Sequence, residues 1–361
     1  DEETVKEAED EVGQLVDDFV GYLINHKQAE TISESLYAAL YRLYGFSIGE
    51  PARIQEAIYA QACLAILLGS VYYESIRYAH RLDSLSARSS KADAKNAIES
   101  AAADILKIDY EAIFELVGHL MKGLPPMPRL LNRLIDLAGR ISSKRTLLRR
   151  DLAGKIYHKV VGDWALKKGL ATYFTQVPSA YLLLYLAKPN LGRVVDFACG
   201  SGTLLVAAYS AANSQYRKSL WKSGSDKAAK EIEREFHTDF IDSCYAFDVL
   251  GYATQITALN LALHSPETPI IKPSPVYTMP LGYRPEDQFV ALGSLELSKA
   301  RGSIDQIFKK ALRTGIDKKE RTDLNKLKAL SPFDIIVMNP PFSRTTGRGR
   351  REGGGLFGFM G

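Results

Sequence analysis

Between Arg193 and Ala212 the chain passes from a short apolar stretch, Val194-Val195, through a glycine turn, Gly200-Ser201-Gly202, into a segment of helical character from Thr203 onward. A strand that gives way so quickly to a helix lays that helix back across its own sheet, so the next strand runs parallel to the first. Further strands are expected at Cys244 to Val249, at Phe289 to Leu292 and at Phe333 to Met338, where Ile335, Ile336 and Val337 stand in a row between Pro332 and Pro340. A helix at Tyr252 to Leu263 follows the second strand, and the charged Ser298 to Leu330 stretch is expected to be a helical insertion before the last one. Alternating strands and helices predict an α/β fold with a mostly parallel sheet.

The chain before this unit has another character. From Asp1 to about Lys144 apolar residues recur at spacings of three and four, as in Val12, Leu15, Val16, Phe19, Val20 and Leu23, which predicts helices throughout. Breaks are expected at Gly45 to Pro51, at the polar Ser84 to Asp93 stretch, and at Gly123 to Pro128. Beyond the basic connector Lys144, Arg145, Arg149 and Arg150 come a helix from Asp151 to about Lys168, the triplet Tyr173-Phe174-Thr175, and an apolar helix from Ser179 to Leu186. With 361 residues the expectation is two domains, an all-α unit over 1–145 and an α/β unit over 146–361.

Several classes are set aside. Three cysteines, none in a C-x-x-C pair, are too few for a disulfide framework and suit a reducing cytoplasm, and six scattered histidines lack the H-x-x-x-H spacing of a helical metal site. The longest apolar run, Ala57 to Tyr73, is interrupted by Gln61, Gly69 and Ser70 and is expected to be a buried helix rather than a membrane span. A net charge of +4 permits a nucleic-acid partner without requiring one. The chain starts without Met and stops in a Gly/Arg-rich stretch, so it is expected to be a piece of a longer protein, with the C-terminal part of the sheet missing.

The glycine turn narrows the chemistry. A dinucleotide fingerprint needs a third glycine at position 205, where Leu205 stands. Asp196, four residues before Gly200, would repel a phosphate at the following helix N-terminus and suits a cation. S-adenosylmethionine, with its ammonium and sulfonium, fits. The second strand ends in Asp248-Val249, where an acid meets ribose hydroxyls in such folds; the separation from Asp196 exceeds the usual one, and the charged helical segment Asn213 to Asp242 accounts for the excess.

At the end of the last strand stands Asn339-Pro340-Pro341-Phe342. Neither proline can donate to a ladder, so the pair stops the strand. The exocyclic amine of adenine or cytosine is a poor nucleophile because its lone pair is delocalised into the ring. An Asn339 side-chain oxygen and the Pro340 carbonyl can each accept one N–H of that amine and aim its lone pair. Pro341 stiffens the backbone, and Phe342 offers a face for a base flipped out of the duplex. Asn accepts without titrating, and the amine sheds its proton after it has been methylated.

The loop string DFACGSGTLL and the Asn-Pro-Pro-Phe end resemble the DNA amino-methyltransferases that modify adenine N6 or cytosine N4. The order, Tyr173-Phe174-Thr175 before the glycine loop and the loop before Asn339, resembles the gamma group, which includes methylation subunits of type I restriction-modification systems and related single-chain enzymes. The resemblance implies a class I, Rossmann-like S-adenosylmethionine-dependent fold preceded by an all-α domain. It implies site-specific methylation of adenine N6 in double-stranded DNA by base flipping, in a cytoplasmic restriction-modification or phage-defence system with a specificity or restriction subunit as partner, and no metal or membrane. Cofactor contacts are then expected from Tyr173, Thr175, Asp196, Ala198, Gly200, Gly202, Thr203, Asp248, Val249 and Ser294, and the catalytic group is Asn339, Pro340, Pro341 and Phe342. Two departures stand out: Gln176 replaces the proline usual after the Phe-Thr pair, and Ser294 stands where an acid is common. The alternatives are methylation of another planar amine, such as cytosine N4, RNA guanine N2 or a protein glutamine, and a non-catalytic DNA-binding or assembly subunit that keeps the fold.

Overall fold

The computed structural model describes residues 2–40, 55–108, 111–144, 175–187, 192–224, 227–248, 251–265, 276–278, 281–284, 289–292, 312–313 and 333–339. Among the described residues, its N-terminal part holds seven helices: α1 (Glu2–Ile24), α2 (Ala29–Leu40), α3 (Gln55–Ile76), α4 (Leu85–Lys91), α5 (Ala94–Ile108), α6 (Glu111–Gly123) and α7 (Pro128–Ser143). The prolines at 125, 126 and 128 explain one boundary, since α6 stops before them and Pro128 occupies the first turn of α7, where a missing N–H leaves nothing unpaired. The expected break at Ser84 to Asp93 is corrected: Ser84 accepts from Ala87 N through its hydroxyl at 3.1 Å and starts the short helix α4. The apolar run at Ala57 forms the centre of α3, which by length and composition is able to cross a bilayer. In the fold, Leu64, Leu67, Leu68 and Val71 are instead buried among the other helices.

The second part opens with α8 (Val177–Ala187) and continues β1 (Val194–Asp196), α9 (Thr203–Lys222), α10 (Ala229–Ser243), β2 (Cys244–Asp248), α11 (Gly251–Ala262), β3 (Val276–Thr278), β4 (Leu281–Arg284), β5 (Phe289–Leu292), β6 (Leu312–Arg313) and β7 (Ile335–Val337). Five strands form one sheet in the order β6-β3-β2-β1-β7. β1 pairs parallel with both β2 and β7, β2 pairs parallel with β3, and β6 lies antiparallel on the outside of β3. The expected parallel sheet is present.

Two expectations about its members are corrected. Phe289 to Leu292 is a strand, but it pairs antiparallel with β4 in a separate two-stranded ribbon, and the third parallel strand is Val276–Thr278. Only three residues long and flanked by prolines at 273, 275 and 280, that strand is too short for its alternation to be read. Within the expected helical insertion, Leu312–Arg313 is extended and forms β6. Within the charged segment 213–242, the end of α9 and most of α10 are helical, as expected.

One face of the sheet, with Val194, Cys244, Ala246, Val276 and Val337, packs against α8, α9 and α10 through Leu184, Leu205, Ala208, Phe236 and Phe240. α11 belongs to both cores: Ala258 and Leu261 join this one, whereas Ala253, Ile256, Leu259 and Leu263 join the core of the N-terminal helices.

Candidate functional site

β1 is where the sheet changes its direction of growth, because β2 and β7 flank it and the chain reaches them by separate excursions. In parallel α/β sheets the crevice beyond the carboxyl ends at such a point is where ligands bind. Asp196, Asp248 and Asn339 lie at or just past the carboxyl ends of β1, β2 and β7, three adjacent strands.

Past β1 the chain turns sharply. Gly200 and Gly202 have φ of +53° and +84°, a region that any side chain strains, which explains why glycine occupies both positions. Gly202 N donates to Cys199 O at 2.8 Å, closing the turn, and Val206 N donates to Gly202 O at 2.9 Å, starting α9. Around Gly202 there is no room: a Cβ there would meet Thr257 Cγ2 and Oγ1 at 3.0 Å and its Cα at 3.2 Å. Around Gly200 a Cβ would meet nothing within 4 Å. The loop is therefore packed at its second glycine and open at its first.

The two acids hold this loop. Asp248 Oδ2 accepts from Gly200 N at 2.9 Å, and Cys199 N donates to Phe247 O at 3.0 Å, so the end of β2 grips the turn after β1. Asp196 Oδ1 accepts from Ala198 N at 3.0 Å. Its side chain is buried, and that burial, opposed by the Ala198 hydrogen bond and reinforced by the Asp248 charge, raises its carboxyl to about 8. Asp196, expected to suit a cation, is buried beside the turn, and from there its carboxyl reaches a ligand through its field and through the loop it holds.

Beneath the loop the sheet is aromatic. Phe197 stacks on Phe247 at a centroid distance of 5.5 Å, Phe247 on Tyr277 at 5.2 Å, and Phe333 meets Phe197 edge-on at 6.1 Å. Neighbouring strands place these rings side by side, and each such pair stabilises register as well as burying surface.

Asn339 follows β7, and its Nδ2 donates to Thr175 Oγ1 at 3.1 Å, joining residues 164 positions apart. With the amide nitrogen engaged there, the orientation of the side chain is fixed and Oδ1 is the atom left to accept from a substrate. Of the expected site residues, the structure gathers Asp196, Ala198, Gly200, Gly202, Thr203 and Asp248 around the loop and joins Thr175 to Asn339 past the neighbouring strand β7; Tyr173, Val249, Ser294, Pro340, Pro341 and Phe342 lie outside the described residues. Sequence reasoning missed Thr257 and Asn260 of α11. Thr257 Oγ1 donates to Gly200 O at 2.8 Å, and Asn260 Nδ2 donates to Ser201 O at 3.3 Å. The available signal was a set of buried polar residues on this helix, Thr254, Gln255, Thr257 and Asn260, which does not by itself single out Thr257 and Asn260.

Residues 148–274 match the family model described as N-6 DNA Methylase. The matched segment contains β1, the glycine loop, β2 and α11, and it supports an adenine-N6 DNA methyltransferase family for this chain. DNA methylation is the activity that family implies. No curated protein matches the chain.

Proposed function

We propose that the chain carries the cofactor-binding and amine-polarising parts of a site-specific DNA methyltransferase, which moves a methyl group from S-adenosylmethionine to N6 of adenine in double-stranded DNA. The supporting observation is the convergence at one sheet edge of the glycine loop, its two acids, and an Asn339 amide oriented by Thr175. The residues fit the cofactor: space stands open beside Gly200, and Asp248, joined by Asp196 when that carboxyl ionises, supplies negative potential for an ammonium and a sulfonium. When bound, S-adenosylmethionine supplies an activated methyl group. Asp248 at the end of β2 is placed to accept from ribose hydroxyls while it holds Gly200 N, since one carboxylate accepts several hydrogen bonds.

Asn339 Oδ1 takes one N–H of the adenine amine and the Pro340 carbonyl the other, which pyramidalises the nitrogen and aims its lone pair in line with the methyl group. Pro341, Phe342, Tyr173, Val249 and Ser294 keep the roles that the family resemblance gives them: stiffening the turn, stacking the flipped base, and touching the cofactor. Also proposed are the division into a helical domain over 1–145 and a class I catalytic domain over 146–361, a cytoplasmic location, and a place in a restriction-modification or phage-defence system with a specificity or restriction subunit.

The test is methyl transfer from labelled S-adenosylmethionine to unmethylated double-stranded DNA, to RNA and to protein, followed by nucleoside analysis. N6-methyladenine in the DNA is the expected product. Label in cytosine N4, or in RNA or protein alone, moves the assignment to another planar amine, and cofactor binding without any transfer moves it to a non-catalytic subunit.

A further inference from the structure

The glycine loop is held from below by a helix that carries none of the recognised motifs. Thr257 and Asn260 stand three residues apart, hence on one face of α11, and both are buried. Thr257 gives its hydroxyl proton to Gly200 O at 2.8 Å, and its Oγ1 lies 3.5 Å from Cys199 Sγ. Asn260 gives an amide proton to Ser201 O at 3.3 Å. In a trans peptide the C=O and the following N–H point in opposite directions. Drawing the Gly200 carbonyl toward α11 therefore turns the Ser201 N–H away from that helix. The loop's shape at its open glycine depends on these two hydrogen bonds.

An adjoining stripe of α11 is apolar. Ala253, Ile256, Leu259 and Leu263 are buried in the core of the N-terminal helices, and Ile256 and Leu259 face Leu68 of α3 and Leu116 of α6 across a small apolar gap. A helix wedged there cannot slide without opening that core. Loop, helix and bundle form one mechanical series.

We propose that Thr257 and Asn260 are positioning residues for the cofactor, and that the N-terminal helices fix the shape of the glycine loop through α11. The proposal builds on the loop as the S-adenosylmethionine site. Its test compares the whole chain with Thr257→Val, Thr257→Ser and Asn260→Ser, by calorimetric titration with S-adenosylmethionine and by hydrogen exchange of the peptide spanning 198–204. Valine keeps the shape and removes the donor, which is expected to weaken cofactor affinity about tenfold and to speed exchange in the loop. Serine at 257 restores both, and serine at 260, too short to reach the Ser201 carbonyl, behaves like Thr257→Val without altering the residue at 257. Unchanged affinity in both Thr257→Val and Asn260→Ser, with the wild type binding, overturns the positioning role. If the wild type does not bind the cofactor, the functional assignment fails instead. Unchanged loop exchange in both variants then overturns the structural half on its own.

Discussion

Replacing Asp196 by Asn removes a buried titration while keeping the geometry. Asn retains an oxygen to accept the Ala198 N–H at 3.0 Å, and its volume is the same. The wild-type carboxyl is raised from 3.8 to about 8 by burial, so between those values the folded chain keeps a proton that the unfolded chain has lost. Stability then falls as pH rises, by about 1.4 kcal/mol per unit, with an upper limit on the order of 6 kcal/mol across the window. The variant has no such slope. Between pH 5.5 and 7.5 its advantage over the wild type should grow by about 3 kcal/mol, roughly 6–12 °C in melting temperature for a domain of this size. Parallel thermal melts in one buffer series measure it, and every other titrating group cancels in the difference. A cationic cofactor adds a second arm: S-adenosylmethionine should raise the melting temperature of the wild type more than that of Asp196→Asn at pH 7.5. An offset between the two proteins that does not change with pH would refute the buried, protonated carboxyl.

Asn339→Ala should lower methyl transfer at least about a hundredfold while leaving S-adenosylmethionine affinity nearly unchanged, because only the amine acceptor is lost; equal losses in both would place Asn339 in cofactor binding. Thr175→Val separates the two roles of Thr175 in the same assays, and a fall in turnover with unchanged affinity is expected from its bond to Asn339 Nδ2. The two glycines should differ. Gly202→Ala combines a left-handed φ with a 3.2 Å approach to the Thr257 backbone and should destabilise by about 3 kcal/mol, whereas Gly200→Ala, with open space beside it, should lose only about 1 kcal/mol yet weaken the cofactor. Denaturant melts that rank them the other way would contradict the packing. His237, whose imidazole pKa is lowered by burial to about 3, opposes the Asp196 slope between about pH 4 and 6.5, so His237→Phe should leave that slope unopposed and make stability rise as pH falls through this range; an unchanged slope would sink the assignment.

The loop between β1 and α9 was legible because its conformation is dictated locally: two positive φ angles require glycine, and a strand precedes them. Asn339 was legible for the opposite reason, since consecutive prolines mark the end of a ladder whatever surrounds it. What escaped is tertiary. Val276–Thr278 became the third strand because β2 offers it a parallel edge, while Phe289–Leu292, with the better apolar run, found β4 instead. Pairing partners of three-residue strands are chosen by the assembled sheet and leave little trace in composition. Thr257 and Asn260 were hidden in the same way, because a helix face becomes a support only once the loop lies against it.

Buried His237 and buried Asp196 act on stability with opposite signs. Between about pH 4 and 6.5 the unfolded histidine holds a proton that the folded one lacks, and the folded aspartic acid holds one that the unfolded one lacks, so the two slopes cancel. Above 6.5 only the aspartate slope remains, and stability declines toward pH 8. That decline falls at neutral pH and originates in the residue beneath the glycine loop. A cation bound beyond the loop stabilises the ionised form of Asp196 and offsets part of the decline, so affinity for S-adenosylmethionine should rise with pH from 6.5 to 8 in the wild type and stay level in Asp196→Asn. Binding curves with equal pH dependence in the two proteins would show that the carboxylate field does not reach the cofactor.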